Sequence, residues 1–218
     1  MIGRRGFALG GTALALGACE ERVPASAIYA LIDVSGSYFH ELDKAVRALR
    51  VMMAGLRAHD SFAVAEIGAC SFSDEAVLLR FTAPDRPTER QRVIAANAAR
   101  LTDYAARARA TNFTDIRGAL TQAAQYLASR PAEQRSIVVF SDFEEDLPPN
   151  CRRDKPLPQE LKGIEVIATN VTRLPEDNRN PARYGRRLDG WRRLVEATGA
   201  RWRLVPDPSD VVASLRPR

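Results

Sequence analysis

The stretch LIDVSGSY, residues 31–38, ends an apolar run with one acid and two hydroxyls at alternate positions: Asp33, Ser35 and Ser37. Carboxylate and hydroxyl oxygens are hard donors, which suit Mg²⁺, Mn²⁺ or Ca²⁺ better than Zn²⁺. Two other interpretations use the same residues. The stretch can be a polar turn in which Ser37 caps the next helix, or it can carry a serine nucleophile at Ser35 or Ser37.

A serine nucleophile needs a base that is itself oriented by a third group. The chain has two histidines, of which His40 lies one turn past Ser37 and His59 ends a predicted helix. Neither can be placed in a Ser-His-Asp arrangement. We therefore predict that the protein is not an enzyme, and a serine hydrolase is the weakest alternative.

The elements that must position these residues are six predicted strands, most of them separated by segments with helical spacing. The strands are predicted at 27–35, 61–69, 75–82, 135–143, 163–172 and 201–205, and the helices at 38–60, 90–110, 115–130 and 186–200. Residues 173–185 are predicted to be a polar linker. Alternating strands and helices predict an α/β fold with a doubly wound, mostly parallel six-stranded sheet, helices on both faces and one antiparallel edge hairpin.

Polar residues follow two of the predicted strands at the point where each strand ends. Asp33 follows the first strand, and Ser141 and Asp142 follow the fourth. Ligands of open α/β sheets bind in the crevice at the carboxyl ends of the strands. The two polar segments are therefore expected at the position where a binding site belongs.

These segments, taken with a threonine ahead of a later helix, resemble the von Willebrand factor A domain. The metal-ion-dependent adhesion site of that family uses the pattern D-x-S-x-S, a distant threonine and a distant aspartate. TDIRGAL (114–120) resembles the threonine loop, VVFSD ends in the last acid, and the resemblance runs over residues 27–205. It implies that the metal ligands are Asp33, Ser35, Ser37, Thr114 and Asp142.

The resemblance implies a binding module in which a divalent cation bridges two proteins. Mg²⁺ is the expected ion, with Mn²⁺ or Ca²⁺ as the others that these oxygen donors suit. One coordination position is left for an Asp or Glu carboxylate of the protein partner. The alternative is a degenerate A domain that acts as a scaffold subunit of an envelope complex without needing metal.

The sequence departs from the family pattern at two places. RATNFT stands where the family often has GGT, so Thr111 is a rival to Thr114 as the ligand. Phe143 stands where the family often has a glycine, which can reshape the loop after Asp142.

Two charged groups near the motifs allow more than one interpretation. The acidic run Glu144, Glu145 and Asp146 can deepen the negative potential or hold a second cation, but it is more simply a solvated loop. Four arginines of the last predicted helix can meet lipid head groups or cell-wall anions, but a solvated helix face is the simpler interpretation. They are Arg186, Arg187, Arg192 and Arg193.

The first residues have the features of an export signal. Residues 1–18 combine basic residues with a short apolar stretch, and LGAC (16–19) resembles a bacterial lipobox that ends in Cys19. The resemblance implies that Cys19 is acylated, with chains such as palmitate, and that 19–26 form a lipidated N-terminus and tether before an A domain at 27–218. The expected location is the extracytoplasmic or periplasmic side of the cell envelope, with the outer membrane favoured, and both Sec and twin-arginine export remain open.

Composition and cysteine content add two expectations. The 218 residues carry a net charge of +5, and 7% of them are aromatic. The sequence lacks the basic stripe interleaved with aromatic residues that binds single-stranded nucleic acid, so no nucleic-acid partner is predicted. Besides Cys19 the chain has Cys70 and Cys151. An extracytoplasmic compartment preserves disulfides, and the A-domain strand order brings both loops to the site-bearing edge. The two cysteines are therefore a candidate disulfide that would brace the loop after Asp142.

Overall fold

The structure, a computed structural model, describes residues 25–149, 151 and 156–215. Its centre is a six-stranded sheet in the order β3-β2-β1-β4-β5-β6, parallel throughout except for the antiparallel β2–β3 pair. The strands are β1 (Ser26–Asp33), β2 (Ser61–Ile67), β3 (Val77–Thr82), β4 (Gln134–Phe140), β5 (Glu165–Thr169) and β6 (Arg201–Val205). The predicted fold class, including the antiparallel edge hairpin, is confirmed.

Helices cover both faces of the sheet. They are α1 (Leu42–Ala54), α2 (Pro87–Arg107), α3 (Ile116–Ala128), α4 (Pro175–Arg179), α5 (Pro181–Glu196) and α6 (Pro208–Ser214). Helices α3 and α5 contribute to the hydrophobic core on one face, and α1, α2 and α6 contribute to the core on the other. Each core is closed because an amphipathic helix must bury its apolar stripe against another element.

Strand β1 lies in the middle of the sheet, and all eight of its residues are buried. Tyr29 and Leu31 point into the core with α3 and α5, while Ile28 and Ile32 point into the core with α1. A strand that is covered on both faces reads as a continuous apolar run, which explains why the sequence shows no alternation here. Asp33 is thus held at the end of the most enclosed strand.

The predicted linker at 173–185 is wrong, because it contains α4 and the first turn of α5. Both helices begin with a proline, which suits the first helical position because its missing N–H has no partner there. The Asp177 carboxylate accepts a hydrogen bond from the Leu174 amide at 2.8 Å and so caps α4. A five-residue helix is too short for hydrophobic periodicity to reveal. Helix α6 was not predicted either.

The disulfide between Cys70 and Cys151 is present in the structure. The predicted signal peptide and Cys19 lie outside the described residues. Within the part of the chain that the structure describes, no helix is both long enough and apolar enough to span a bilayer.

Candidate metal centre at the carboxyl ends of β1 and β4

The pairing of β1 with β4 places the first acid of the site. Ile32 lies opposite Phe140, so the next residues on the two strands, Asp33 and Ser141, meet at the carboxyl end. The Ser141 hydroxyl donates to Asp33 Oδ2 at 2.5 Å, and the Ser35 amide donates to Asp33 Oδ1 at 2.8 Å. Ser141 was noted in the sequence but was given no role, since only the strand register shows which acid it contacts.

The two serines and the second acid form a chain of hydrogen bonds beside Asp33. The hydroxyls of Ser35 and Ser37 are 3.2 Å apart, and Ser37 donates to Asp142 Oδ2 at 2.7 Å. The Glu144 amide donates to Asp142 Oδ1 at 2.9 Å. The structure thus brings together four of the five predicted ligands, although they come from loops more than 100 residues apart in sequence.

The threonine loop lies against the first loop through its backbone. The Thr111 amide donates to the Val34 carbonyl at 2.8 Å, and the Gly36 amide donates to the Thr111 carbonyl at 2.9 Å. On its other side, Thr114 exchanges two backbone hydrogen bonds with Asp146, of 2.7 and 3.2 Å. These bonds hold the threonine loop next to the D-x-S-x-S loop.

The hydroxyls of the two rival threonines have different surroundings. Thr111 Oγ1 donates to the Phe113 carbonyl at 2.8 Å. Thr114 is buried, and its hydroxyl makes no hydrogen bond to any residue that the structure describes. The Thr114 hydroxyl is therefore the one without a competing partner among these residues.

The residues after Thr114 explain the TDIRG part of the motif. Asp115 caps α3 by accepting from the Gly118 amide at 2.8 Å, and it also accepts from the Ser71 amide at 2.8 Å. A Cβ at position 118 would collide with the Asp115 carboxylate, so this cap requires glycine at that position. The cap fixes where α3 begins and hence where the threonine loop ends.

The disulfide closes the frame around the threonine loop. Cys70 lies in the loop after β2, and the carbonyl of Gly68 in the same loop accepts from the Asp115 amide at 2.8 Å. Cys151 lies in the loop after β4, which also contains Asp146, the backbone partner of Thr114. The bridge therefore joins two of the loops that contact the threonine loop, the third being the D-x-S-x-S loop.

Asp33 is a fully buried acid whose hydrogen-bond partners are hydroxyl and amide groups. Burial raises its pKa from the ordinary 3.8 to about 6, against the opposing effect of the hydrogen bonds from Ser141 and Ser35. The nearby negative charge of Asp142 raises the pKa further. Nothing among these neighbours compensates the negative charge of Asp33.

The three residues of the acidic run after Phe143 differ in their surroundings, and two of them pair with arginines. Glu144 pairs with Arg183 at 2.9 Å, and Glu145 forms an ion pair with Arg117, whose amide also donates to Glu145 Oε1 at 3.0 Å. Asp146 is exposed and pairs with Thr114 through its backbone. Within the described residues there is no cluster of three or more His, Cys, Asp or Glu side chains able to hold a metal.

The prediction of a solvated face is wrong for Arg187, whose side chain is only 7% exposed. It forms a two-pronged ion pair with Asp177, at 3.1 and 2.7 Å, and its Nε donates to the Asp142 carbonyl at 2.9 Å. Arg186, Arg192 and Arg193 are exposed as predicted. No clear signal in the sequence indicated that Arg187 is buried, because its partner Asp177 lies in the segment that was predicted to be a linker.

Phe143 adopts a left-handed backbone conformation, with φ of 61°. Such a conformation is unusual for a bulky residue and natural for glycine. The buried ring packs edge-on against Trp191 and Trp202, with centroids 5.9 and 5.3 Å away, and the Trp191 indole donates to the Phe143 carbonyl at 2.9 Å. The predicted departure from glycine therefore leaves the turn intact and anchors it to an aromatic cluster.

Neither histidine approaches the serines through a hydrogen bond among the described residues. The side chain of His40 is 64% exposed and lies 3.5 Å from Glu41, and that of His59 is 71% exposed and lies 3.9 Å from Asp85. The surroundings of both residues are those of surface histidines.

Three of the five predicted ligands line an open cleft of about 480 Å³, while Asp33 and Asp142 are buried beside them. The three ligands are Ser35, Ser37 and Thr114, and Thr111 lines the cleft with them. The remaining lining residues are Gly36, Asn112, Glu144, Asp146, Leu174, Pro175, Glu176 and Arg183. We refer to Leu174, Pro175 and Glu176 as the cleft wall.

Comparison with solved structures finds the same fold in several proteins. A von Willebrand factor type A protein from Catenulispora acidiphila matches with a TM-score of 0.53 and 16% identity, over 88% of this chain and 41% of that one. The pilus adhesin SpaC from Lactobacillus rhamnosus GG matches with a TM-score of 0.54 and 10% identity, over 89% of this chain and 29% of that one. Manganese-loaded TRAP protein from Plasmodium vivax matches with a TM-score of 0.50 and 15% identity, over 89% and 73%.

Comparison with family models gives the assignment. No curated protein sequence matches the chain. The family model described as von Willebrand factor type A domain matches residues 28–145, which is more than half of the 218 residues and includes β1, β4 and every predicted ligand. The chain therefore belongs to the von Willebrand factor type A domain family.

Proposed function

We propose that this protein is a binding module that holds one divalent cation at the carboxyl ends of β1 and β4 and captures a protein partner through it. The observation that carries the proposal is a buried acid without a compensating charge, Asp33, beside a cluster of hydroxyls. The proposed ligands, directly or through water, are Asp33, Ser35, Ser37, Thr114 and Asp142.

The chemistry of these donors fits a hard cation. Two carboxylates and three neutral hydroxyls are all oxygen donors, as Mg²⁺, Mn²⁺ and Ca²⁺ prefer. A cation held by only two acids stays electrophilic and gains by taking a carboxylate oxygen from an Asp or Glu of the partner. Mg²⁺ is the proposed ion, and the fold shared with a manganese-loaded protein is consistent with such a site.

Thr114 is the proposed threonine ligand in preference to Thr111. The Thr111 hydroxyl already donates to a backbone carbonyl, whereas the Thr114 hydroxyl makes no such bond within the described residues. We also propose that the protein is not an enzyme, because the hydroxyls of Ser35 and Ser37 bond to each other and to a proposed metal ligand, Asp142, rather than to a histidine.

The proposed location is the extracytoplasmic side of the cell envelope, with the chain anchored through acylated Cys19. A lipobox-like segment ahead of that cysteine supports the proposal. Replacing Cys19 by serine is expected to move the protein from the membrane to the soluble extracytoplasmic fraction. Acyl labelling that persists in the variant would contradict the anchor.

Metal binding can be tested by calorimetric titration of the protein with Mg²⁺ and Mn²⁺. Asp33→Ala is expected to abolish binding while the fold survives, because the core strands do not depend on an ion. Asp60→Ala is the matched control, since Asp60 is also a buried acid but accepts from the Ser26 and Arg57 amides beside the start of β2. Wild-type protein that binds neither ion at millimolar concentration would refute the proposed site.

Partner capture is tested by a pull-down from envelope extract, with and without EDTA. We expect the captured protein to be lost in EDTA and in the Asp33→Ala variant, and to be retained by Asp60→Ala. If the partner stays bound in EDTA, the protein is a scaffold subunit that does not use metal.

A further inference from the structure

We propose that Arg187 is a positioning residue for the candidate metal centre, because its guanidinium fixes the 141–144 loop and the cleft wall in one arrangement. The proposal rests on the proposed metal-dependent function. Arg187 does not hydrogen-bond to the side chain of any proposed ligand, and it acts through the main chain of Asp142.

The contacts of Arg187 use most of its donors. Its Nε donates to the Asp142 carbonyl at 2.9 Å, and Nη1 and Nη2 donate to Asp177 at 3.1 and 2.7 Å. Nη1 also lies 3.5 Å from Glu144 Oε2. The planar fork of arginine matches this geometry, whereas lysine is a point charge with three donors on a single nitrogen.

The partner of Arg187 connects the cleft wall to this network. Asp177 is fully buried, and the Oδ2 that binds Arg187 also accepts from the Leu174 amide at 2.8 Å. Leu174 begins the cleft wall, which lines the same cleft as Ser35, Ser37 and Thr114. One buried ion pair therefore connects the loop that carries Asp142 to the cleft wall.

Helix α5 holds the 141–144 loop at two consecutive carbonyls. Arg187 binds the carbonyl of Asp142, and Trp191 binds the carbonyl of Phe143, whose φ is 61°. Fixing both peptide groups directs the Asp142 carboxylate toward Ser37 and the Glu144 amide. Without the Arg187 contact the first of these peptide groups keeps only the hydrogen bond from the Phe143 amide to Ser141 Oγ, so the Asp142 carboxylate is held less firmly.

Arg187→Lys is the variant of choice, because it keeps the positive charge beside Asp177 but cannot reproduce all three contacts. Arg187→Met would leave Asp177 buried without a cation and endanger the fold. Arg203→Lys is the matched control. Arg203 also forms a partly buried ion pair, with Glu165 at 2.9 Å, but that pair joins β6 to the start of β5 and does not line the cleft.

The first measurement is amide hydrogen exchange on the metal-free full chain. The reporters are the Phe143 amide, which donates to Ser141 Oγ, and the Glu144 amide, which donates to Asp142 Oδ1. Arg187→Lys is expected to speed exchange at both by roughly tenfold, whereas Arg203→Lys leaves them unchanged. Equal rates in wild type and Arg187→Lys would overturn the proposal, whatever the protein does with metal.

The second measurement is calorimetric titration with Mn²⁺, at a temperature well below the unfolding transition of each variant. Arg187→Lys is expected to weaken Mn²⁺ binding by about 10- to 100-fold, as loss of a group supporting a metal ligand does, and Arg203→Lys to bind as wild type does. Lower thermal stability with unchanged Mn²⁺ affinity would assign Arg187 a purely structural role and overturn the proposal. If wild type itself binds no Mn²⁺, the proposed function fails, and the exchange rates alone decide whether Arg187 holds the loop.

Discussion

Asp33 and Asp177 are both fully buried carboxylates that connect to the 141–144 loop, yet their surroundings are opposite. Asp33 accepts hydrogen bonds from a hydroxyl and an amide, and burial raises its pKa to about 6. Asp177 accepts two hydrogen bonds from the Arg187 guanidinium, and this pairing holds its pKa below the usual 3.8. A buried charge is costly unless it is paired. The charge of Asp177 is therefore compensated within the chain, whereas that of Asp33 is not.

The difference between the surroundings of the two acids indicates where a ligand is expected. The negative charge of Asp177 is satisfied by the chain itself, so its role is to hold α4 and α5 together. That of Asp33 is balanced by no cation among its neighbours, and the hydrogen bonds from Ser141 and Ser35 offset only part of the cost of burying its charge, so a positive charge from outside would stabilise its ionised form further. The same loop, residues 141–144, connects the two environments, since Ser141 contacts Asp33 and Asp142 contacts Arg187.

The largest expected effect comes from breaking the satisfied pair. Arg187→Met leaves Asp177 without its cation, and the free energy of unfolding is expected to fall by about 3–5 kcal/mol at neutral pH. This loss in the free energy of unfolding is smaller at low pH, because protonation of Asp177 neutralises the charge that the variant leaves unpaired. Urea unfolding at two pH values measures this. Arg203→Met, which breaks a more exposed pair, is the control and should cost about 1 kcal/mol or less.

The pH dependence of stability in the metal-free protein is expected to reveal the uncompensated charge of Asp33. Because the pKa of Asp33 is raised on folding, the native state binds more protons than the unfolded state between pH 4 and 6. Its contribution to the free energy of unfolding is therefore lost as the pH rises through this window, by up to about 3 kcal/mol. The measurement is urea unfolding in EDTA against pH, with Asp33→Asn as the control. A wild type and a variant with the same slope would contradict the raised pKa.

The smallest expected effect concerns the loop between the two acids. Phe143 has a left-handed backbone that only glycine adopts without cost, while its ring is buried against Trp191 and Trp202. Both Phe143→Ala and Phe143→Gly lose the ring, but alanine keeps the strain and glycine relieves it. Phe143→Gly is therefore expected to be more stable than Phe143→Ala by about 1 kcal/mol, the reverse of the usual order. Thermal unfolding of the pair decides this, and the usual order would exclude strain at Phe143.

Much of the fold could be predicted from the sequence, because its signals are local. The apolar run into Asp33 marked the central strand, and the spacing of strand and helix patterns gave the doubly wound sheet with its antiparallel hairpin. The linker prediction at 173–185 failed although the signals there are also local, because they are not periodic. Helix α4 is specified by Pro175 and by the side chain of Asp177 rather than by an apolar stripe, so periodicity could not detect it.

The residue types at the candidate site were determined by the sequence alone: an acid, two serines, a threonine and a second acid at the expected ends of elements. Which side chains contact one another was decided only by the tertiary structure. The register of β1 against β4 paired Ser141 with Asp33, and the packing of α5 against the sheet buried Arg187 beside Asp177 and Asp142. The physical reason is that charge compensation depends on distances between groups remote in sequence. Composition shows that the chain has more bases than acids, but only folding determines that Asp177 receives one of them and Asp33 does not.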